Sequence, residues 1–203
     1  MKFRNTLLTT VALAGLAAYG APAKAEPALA DGICPAVEFG TGCGLVITFG
    51  PNGGITTATG SSPGPYDNSD DTLIGVVNNS GHTITSFTLS SGTDIFGFDG
   101  DGIDVENGAI TPVVGNPDTT GYGGPDAYYT NITGSYYTEP ETGTVNFANG
   151  GIPTGGSDYF SLEEPITLEN APTVTAAPEP ASLALLGVGL FGAGFARRFR
   201  RKA

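Results

Sequence analysis

Apolar residues are distributed along this chain in two ways. Near each end stands a continuous uncharged stretch, Leu7 to Ala18 and Leu183 to Ala196. Between them the apolar runs are short, rich in Val, Ile, Tyr and Phe with Thr, and separated by Gly, Pro, Asn, Asp and Ser. No long segment has helical apolar spacing, so the middle reads as strands divided by turns. Strands are expected at Gly44–Phe49, Thr72–Asn78, Thr83–Leu89, Ile95–Phe98, Ala127–Thr133, Gly134–Tyr137, Thr144–Phe147 and Asp158–Leu168, the last interrupted at Pro165. Asn78-Asn79-Ser80-Gly81 reads as a hairpin loop, because Asn tolerates left-handed backbone and Gly adopts it freely. Asn107 to Asp126 is the expected long loop, and 171–177 a linker. Many short strands at this spacing predict an all-β fold, a single antiparallel β-sandwich over 26–170.

The two terminal stretches have different neighbours. Lys2 and Arg4 precede the first, and Ala23-Lys24-Ala25 follows it as a small-x-small cleavage site, the layout of a secretory signal peptide over 1–25. Ala28-Leu29-Ala30 offers a second site. The second stretch follows Pro178-Glu179-Pro180 and is followed by Arg197, Arg198, Arg200, Arg201 and Lys202. As a helix, its roughly 14 residues would reach about 21 Å, short of the ~30 Å hydrocarbon core, and snorkelling arginines can make up part of the difference. The basic end would stay on the cytoplasmic side.

Residues 178–203, with Pro178-Glu179-Pro180-Ala181-Ser182, an apolar segment and a basic end in that order, resemble the PEP-CTERM sorting signal of Gram-negative bacteria. The resemblance implies an exosortase as processing partner, transient anchoring in the inner membrane through the hydrophobic helix, and release to the surface or beyond. Within the body, Gly75 to Ile84 is similar to a strand-turn-strand phrase of immunoglobulin-like surface domains, and Gly151 to Leu162 to their closing strand. That similarity implies an immunoglobulin-like sandwich, and a sandwich alone does not fix a function.

Charge sharpens the division. All eight Lys and Arg lie in the two ends, and all twenty Asp and Glu lie between Glu26 and Glu179. The net charge of −12 therefore conceals a stretch with a formal charge of −20 and no base. Such a surface cannot neutralise phosphates, which excludes nucleic acid and disfavours anionic lipid. Cations and neutral polymers, exopolysaccharide or other matrix components among them, are the partners it permits.

Cys34 and Cys43 are the only cysteines, and both lie in the exported part, which favours a disulfide over metal ligation by two thiols. His82 is the only histidine and sits beside the Asn78–Gly81 turn; no G-x-S-x-G phrase accompanies it. The acids are more suggestive. Asp99, Asp101 and Asp104 share a short glycine-containing segment flanked by Asp94 and Glu106, and Asp67, Ser69, Asp70 and Asp71 form a second group. Hard oxygen ligands on loops suit Ca²⁺, and Asp94, Asp99, Asp101 and Asp104 are the expected ligand set. The EF-hand pattern is broken, with Asp104 at its sixth position and Ile110 at its twelfth.

Together these features predict an exported, exosortase-sorted, non-enzymatic surface or extracellular-matrix protein with a structural or adhesive role. The alternative is a secreted polysaccharide-active hydrolase using an Asp/Glu pair. Intact-mass analysis of material recovered outside the cell should show loss of both ends. Accumulation of the full-length chain in the cytoplasm would contradict the reading.

Overall fold

The structure, a computed structural model, describes residues 32–106, 108–135 and 139–177. The expected signal peptide, the Pro178-Glu179-Pro180 motif and the apolar stretch Leu183 to Ala196 lie outside these residues. Among the described residues no helix is long and apolar enough to cross a membrane. The strands are β1 (Leu45–Phe49), β2 (Ile55–Thr59), β3 (Thr72–Asn78), β4 (Ser86–Ser91), β5 (Val105–Glu106), β6 (Ala109–Ile110), β7 (Ala127–Ser135), β8 (Glu139–Phe147), β9 (Ser157–Leu162) and β10 (Thr173–Ala176).

They form two four-stranded sheets, in the orders β2-β1-β3-β9 and β10-β4-β8-β7, with β5 and β6 as a small separate ribbon. Alternation decides which side chains enter the space between the sheets. From the first sheet come Leu45, Ile47, Phe49, Ile74, Val76, Phe160 and Leu162; from the second come Phe87, Leu89, Val145, Phe147 and Ala127. Phe87 stands at the middle of this core, with the rings of Phe49, Phe147 and Phe160 at centroid distances of 5.1, 5.8 and 6.1 Å. Ile95–Phe98, expected as a strand, forms none. Ile95 and Phe96 are instead buried in the core, and Phe96 N–H donates to the Glu141 carboxylate.

Pairing is antiparallel throughout the two large sheets except between β1 and β3, which run parallel. The chain leaves β2 beside the start of β1, crosses that end through residues 60–71, and enters β3 on the far side of β1. The Asn78–Gly81 turn is not a hairpin loop: β3 and β4 belong to different sheets, so the turn carries the chain from one to the other. Asn78 organises that crossing, its amide donating to the carbonyls of His82 and Ile152 while its Oδ1 accepts from Ser80. The segment expected as a linker contains β10, which pairs with β4 at the edge of the second sheet. The expected strand Ala127–Thr133 and the first two residues of Gly134–Tyr137 form β7, with irregular pairing between Thr130 and Ser135; Tyr136 and Tyr137 lie outside the described residues.

The first sheet also carries a small apolar cluster on its outer face. Val46 and Leu73 meet Tyr66 and the Cys34–Cys43 disulfide there, with Ile33, Val37, Val77, Ile103 and Tyr159 around them. The disulfide lies against Gly75, in the middle of β3. A Cβ at Gly75 would stand 2.5 Å from Cys43 Sγ and 3.0 Å from Ile33 Cγ2, so a side chain there is excluded by the bridge. Glycine weakens a strand interior, and here it makes the room that the bridge occupies. Gly75→Ala should therefore destabilise the oxidised protein by about 1–3 kcal/mol through overpacking. Removing the bridge by Cys34→Ala with Cys43→Ala should cost about 2–3 kcal/mol by the chain-entropy argument. Urea unfolding of the three proteins checks both.

Candidate metal centre

The acids that come together are not the four adjacent ones. The site assembles from three places: the 60–71 crossing before β3, the loop after β4, and the end of β9. In the crossing, Asp67 Oδ1 accepts the backbone N–H groups of Ser69, Asp70 and Asp71 at 3.0, 3.2 and 3.1 Å. This carboxylate-centred turn fixes Asp70 and Asp71. Asp71 is fully buried, and its Oδ2 accepts the Tyr66 hydroxyl at 2.8 Å. Its Oδ1 is the one buried side-chain N or O atom among the described residues with no hydrogen-bond partner.

Glu163 meets Asp71 because of sheet register. The β3–β9 ladder ends with Thr72 opposite Leu162, so the next step of the same antiparallel register sets Asp71 opposite Glu163. Like charges directly opposite each other on paired strands repel. Just beyond them the strands stay tied, since Thr72 Oγ1 donates to the Glu164 carbonyl and accepts from Ile166 N–H.

The third contribution comes from Asp99 and Asp101. Gly100 between them has φ of 96°, a left-handed conformation open to glycine. Phe98, just before them, packs with tilted rings against Tyr122 and Tyr129, at centroid distances of 4.6 and 4.7 Å. Tyr122 is held against β9, with Ser161 N–H donating to its carbonyl at 2.8 Å. Its hydroxyl lies 3.1 Å from Asp99 Oδ1, 2.7 Å from Asp101 Oδ1 and 2.7 Å from Glu163 Oε2. A phenol has one proton to donate. Three carboxylate oxygens thus crowd one donor, and the arrangement is short of positive charge.

Two triads result. Carboxylate oxygens of Asp70, Asp71 and Glu163 lie within 4.8 Å of one another, as do those of Asp99, Asp101 and Glu163, so Glu163 is common to both. Of the expected ligand set, Asp99 and Asp101 are brought together and Asp94 and Asp104 are not. Asp104 turns away to accept Gly124 N–H at 2.7 Å, and Asp94 lies beside Gly97 and Glu141. Proximity in sequence was the signal for Asp99 and Asp101. Glu163 gave no such signal, since its place depends on the pairing of β3 with β9.

Burial, like charge and hydrogen bonding hold Asp71, Glu163 and Asp101 toward their protonated forms. Burial raises Asp71 to about 7, the Tyr66 hydroxyl opposing and the charges of Glu163, Asp101 and Asp67 adding to it. Burial likewise raises Glu163 to about 6, against the Tyr122 hydrogen bond. Asp101 is raised chiefly by its hydrogen bond with Asp99. Tyr66 and Tyr122 are raised far above the ordinary phenol range by burial, reinforced by the neighbouring carboxylates. Such a cluster can hold shared protons or a hard cation.

Residues 176–202 match the PEP-CTERM protein-sorting motif. No curated protein and no solved structure matches the chain. The motif marks the protein for export and for processing by an exosortase.

The raised acids make stability depend on pH in a definite direction. In the unfolded chain Asp71 and Glu163 titrate near 3.8 and 4.5, while the folded state keeps their protons until about 7 and 6. The folded state therefore binds more protons over this interval, and stability falls as pH rises through it. In chelator-containing buffer the urea midpoint should drop between about pH 4.5 and 7.5. Asp71→Asn should flatten much of that slope.

Proposed function

We propose that the body is a non-enzymatic structural or adhesive module of the cell surface or extracellular matrix, and that the outer face of the second sheet is its contact surface for a neutral hydroxyl-rich polymer. The observation that carries this reading is the composition of that face. The register aligns Thr173, Ser90, Thr142 and Thr133 in one row, Thr175, Thr88, Thr144 and Thr130 in the next, and Ser86, Asn146 and Tyr128 in a third. None of these eleven positions is charged, although the stretch from Glu26 to Glu179 carries twenty acids. All are exposed or half-buried, whereas Phe87, Leu89, Val145 and Phe147, their neighbours on the same strands, point into the core.

Hydrogen bonds already hold part of the array in place. Thr142 Oγ1 donates to Ser90 Oγ at 3.0 Å, and Asn146 Nδ2 donates to Thr130 Oγ1 at 2.9 Å. Hydroxyls and amides fixed on a sheet lose little conformational freedom on binding, which favours association with a polymer of hydroxyl groups. An acid-free face also avoids desolvating carboxylates when a neutral partner covers it. Export fits this role, with Leu183 to Ala196 as the transient anchor before release.

Co-sedimentation of the purified chain with insoluble neutral polysaccharide, cellulose and the cells' own matrix material tests the proposal. Retention should persist at high salt, since no ion pairs are involved. Thr88→Asp with Thr144→Asp, which places two charges at the middle of the face, should weaken retention by about tenfold, or 1.4 kcal/mol. Release of new reducing ends from the polymer would instead establish the hydrolase. Equal retention of the double variant would remove this face from the account.

A further inference from the structure

We infer that Asp71, Glu163, Asp70, Asp99 and Asp101 form a binding site for a divalent cation, Ca²⁺ by its ligand chemistry, which ties the 60–71 crossing and the loop after β4 to the end of β9. The inference is independent of the threonine-rich face and of what that face binds.

Its first support is the oxygen left over at Asp71. A buried polar atom without a partner is destabilising, and native structures rarely leave one unexplained. Asp71 has no exposed surface, its Oδ2 is committed to Tyr66, and Oδ1 has no donor among the described residues. One oxygen of the same carboxylate lies within 4.8 Å of carboxylate oxygens of Asp70 and Glu163, a spacing that one ion can bridge. An ion bound there would supply the missing partner.

The second support is the shortage of protons at Tyr122. Its single hydroxyl proton can serve only one of the three oxygens of Asp99, Asp101 and Glu163 that surround it. The other close contacts need positive charge from elsewhere. Register adds a third support, because it sets Asp71 and Glu163 opposite each other at the end of the ladder. No lysine or arginine occurs between Glu26 and Glu179 to answer any of these charges. Protons shared within the cluster and a solute cation are the remaining sources, and only a cation also gives the buried Asp71 oxygen a partner.

The donor set selects the ion. All five side chains offer carboxylate oxygen, and both cysteines are joined in the disulfide, so the soft and nitrogen ligands preferred by Zn²⁺ or Cu²⁺ do not contribute. Ca²⁺ accepts six to eight oxygens in adaptable geometry, which suits ligands drawn from three separate segments. Mg²⁺ demands a tighter octahedron and retains its water, and fits this set less well. An affinity of about 0.1–1 mM, that of extracellular calcium modules, would keep the site filled outside the cell.

The test uses the full-length chain in detergent, stripped with EDTA and dialysed. Calcium chloride at about a hundredfold excess over the dissociation constant should raise Tm by about 8 °C, the shift growing with the logarithm of free calcium, and magnesium chloride should do much less. Terbium chloride, a luminescent substitute for Ca²⁺, should give tyrosine-sensitised emission through Tyr122 and Tyr66, and calcium should abolish it. Asp71→Asn and Glu163→Gln should each weaken calcium binding by at least about tenfold. Asp101→Asn, at the exposed rim, supplies the same measurement where a buried variant fails to fold. Asp94→Asn, outside the cluster, should respond as the parent protein does. A melting curve unmoved by up to about 10 mM calcium, a range that covers extracellular sites, together with absence of terbium emission, would overturn the inference. So would parental affinity in the Asp71, Glu163 and Asp101 variants. Either result would mean that shared protons alone hold the cluster together.

Discussion

Between Glu26 and Glu179 a carboxylate can be answered only by an N–H or O–H donor, by a proton or by a dissolved cation, because the chain places no lysine or arginine there. Much of the loop structure follows from that restriction. Asp67 gathers three backbone N–H groups, Asp118 takes those of Gly121 and Gly123 with the Thr120 hydroxyl, and Asp104 takes that of Gly124. Glu141 reaches into the core region to accept Phe96 N–H at 2.8 Å. In most folds ion pairs carry part of this work. Here the backbone carries it, so acids and turns shape one another, and long irregular segments acquire defined conformations without secondary structure.

The two sheets are finished differently on their outer sides. The first is covered by the disulfide, Tyr66 and the crossing between β2 and β3, which makes it a buried layer with apolar residues on both faces. Among the described residues, the threonine rows of the second are exposed or half-buried. The eleven aligned positions on the outer face of the second sheet carry no charge, so this face differs in kind from the apolar, covered face of the first.

What the sequence disclosed follows from the range of the interactions involved. β1 and β3 are legible because both faces are apolar or cleanly alternating, as in Leu45–Phe49 and Thr72–Asn78, whereas the expected strand Asp158–Leu168 is realised only as β9, which ends at Leu162 before Pro165. β2 and β10 are ITTAT and TVTA, short and polar enough to resemble linker, and pairing with β1 and β4 makes them strands. Ile95–Phe98 has strand composition, but its side chains plug the core instead of forming a ladder. The disulfide was readable from two isolated cysteines. The carboxylate cluster was half readable: Asp99 and Asp101 are two residues apart, but Asp71 and Glu163 meet only through a register that no local pattern encodes. Asp94 and Asp104 lie in the same loop region, and their backbone directs them elsewhere.

The position of β10 has a mechanical consequence. The sorting motif begins at Ala176, which is also the last residue of β10. Ala176 lies opposite Phe87 in the ladder, and Phe87 is the residue around which Phe49, Phe147 and Phe160 are packed. Tension arriving at Ala176 would therefore load the four residue pairs that join β10 to β4, the strand that carries Phe87. A flexible tether would let the body swing and absorb such a pull. This attachment transmits it to the edge strand, and peeling of β10 from β4 would be the first event on overload.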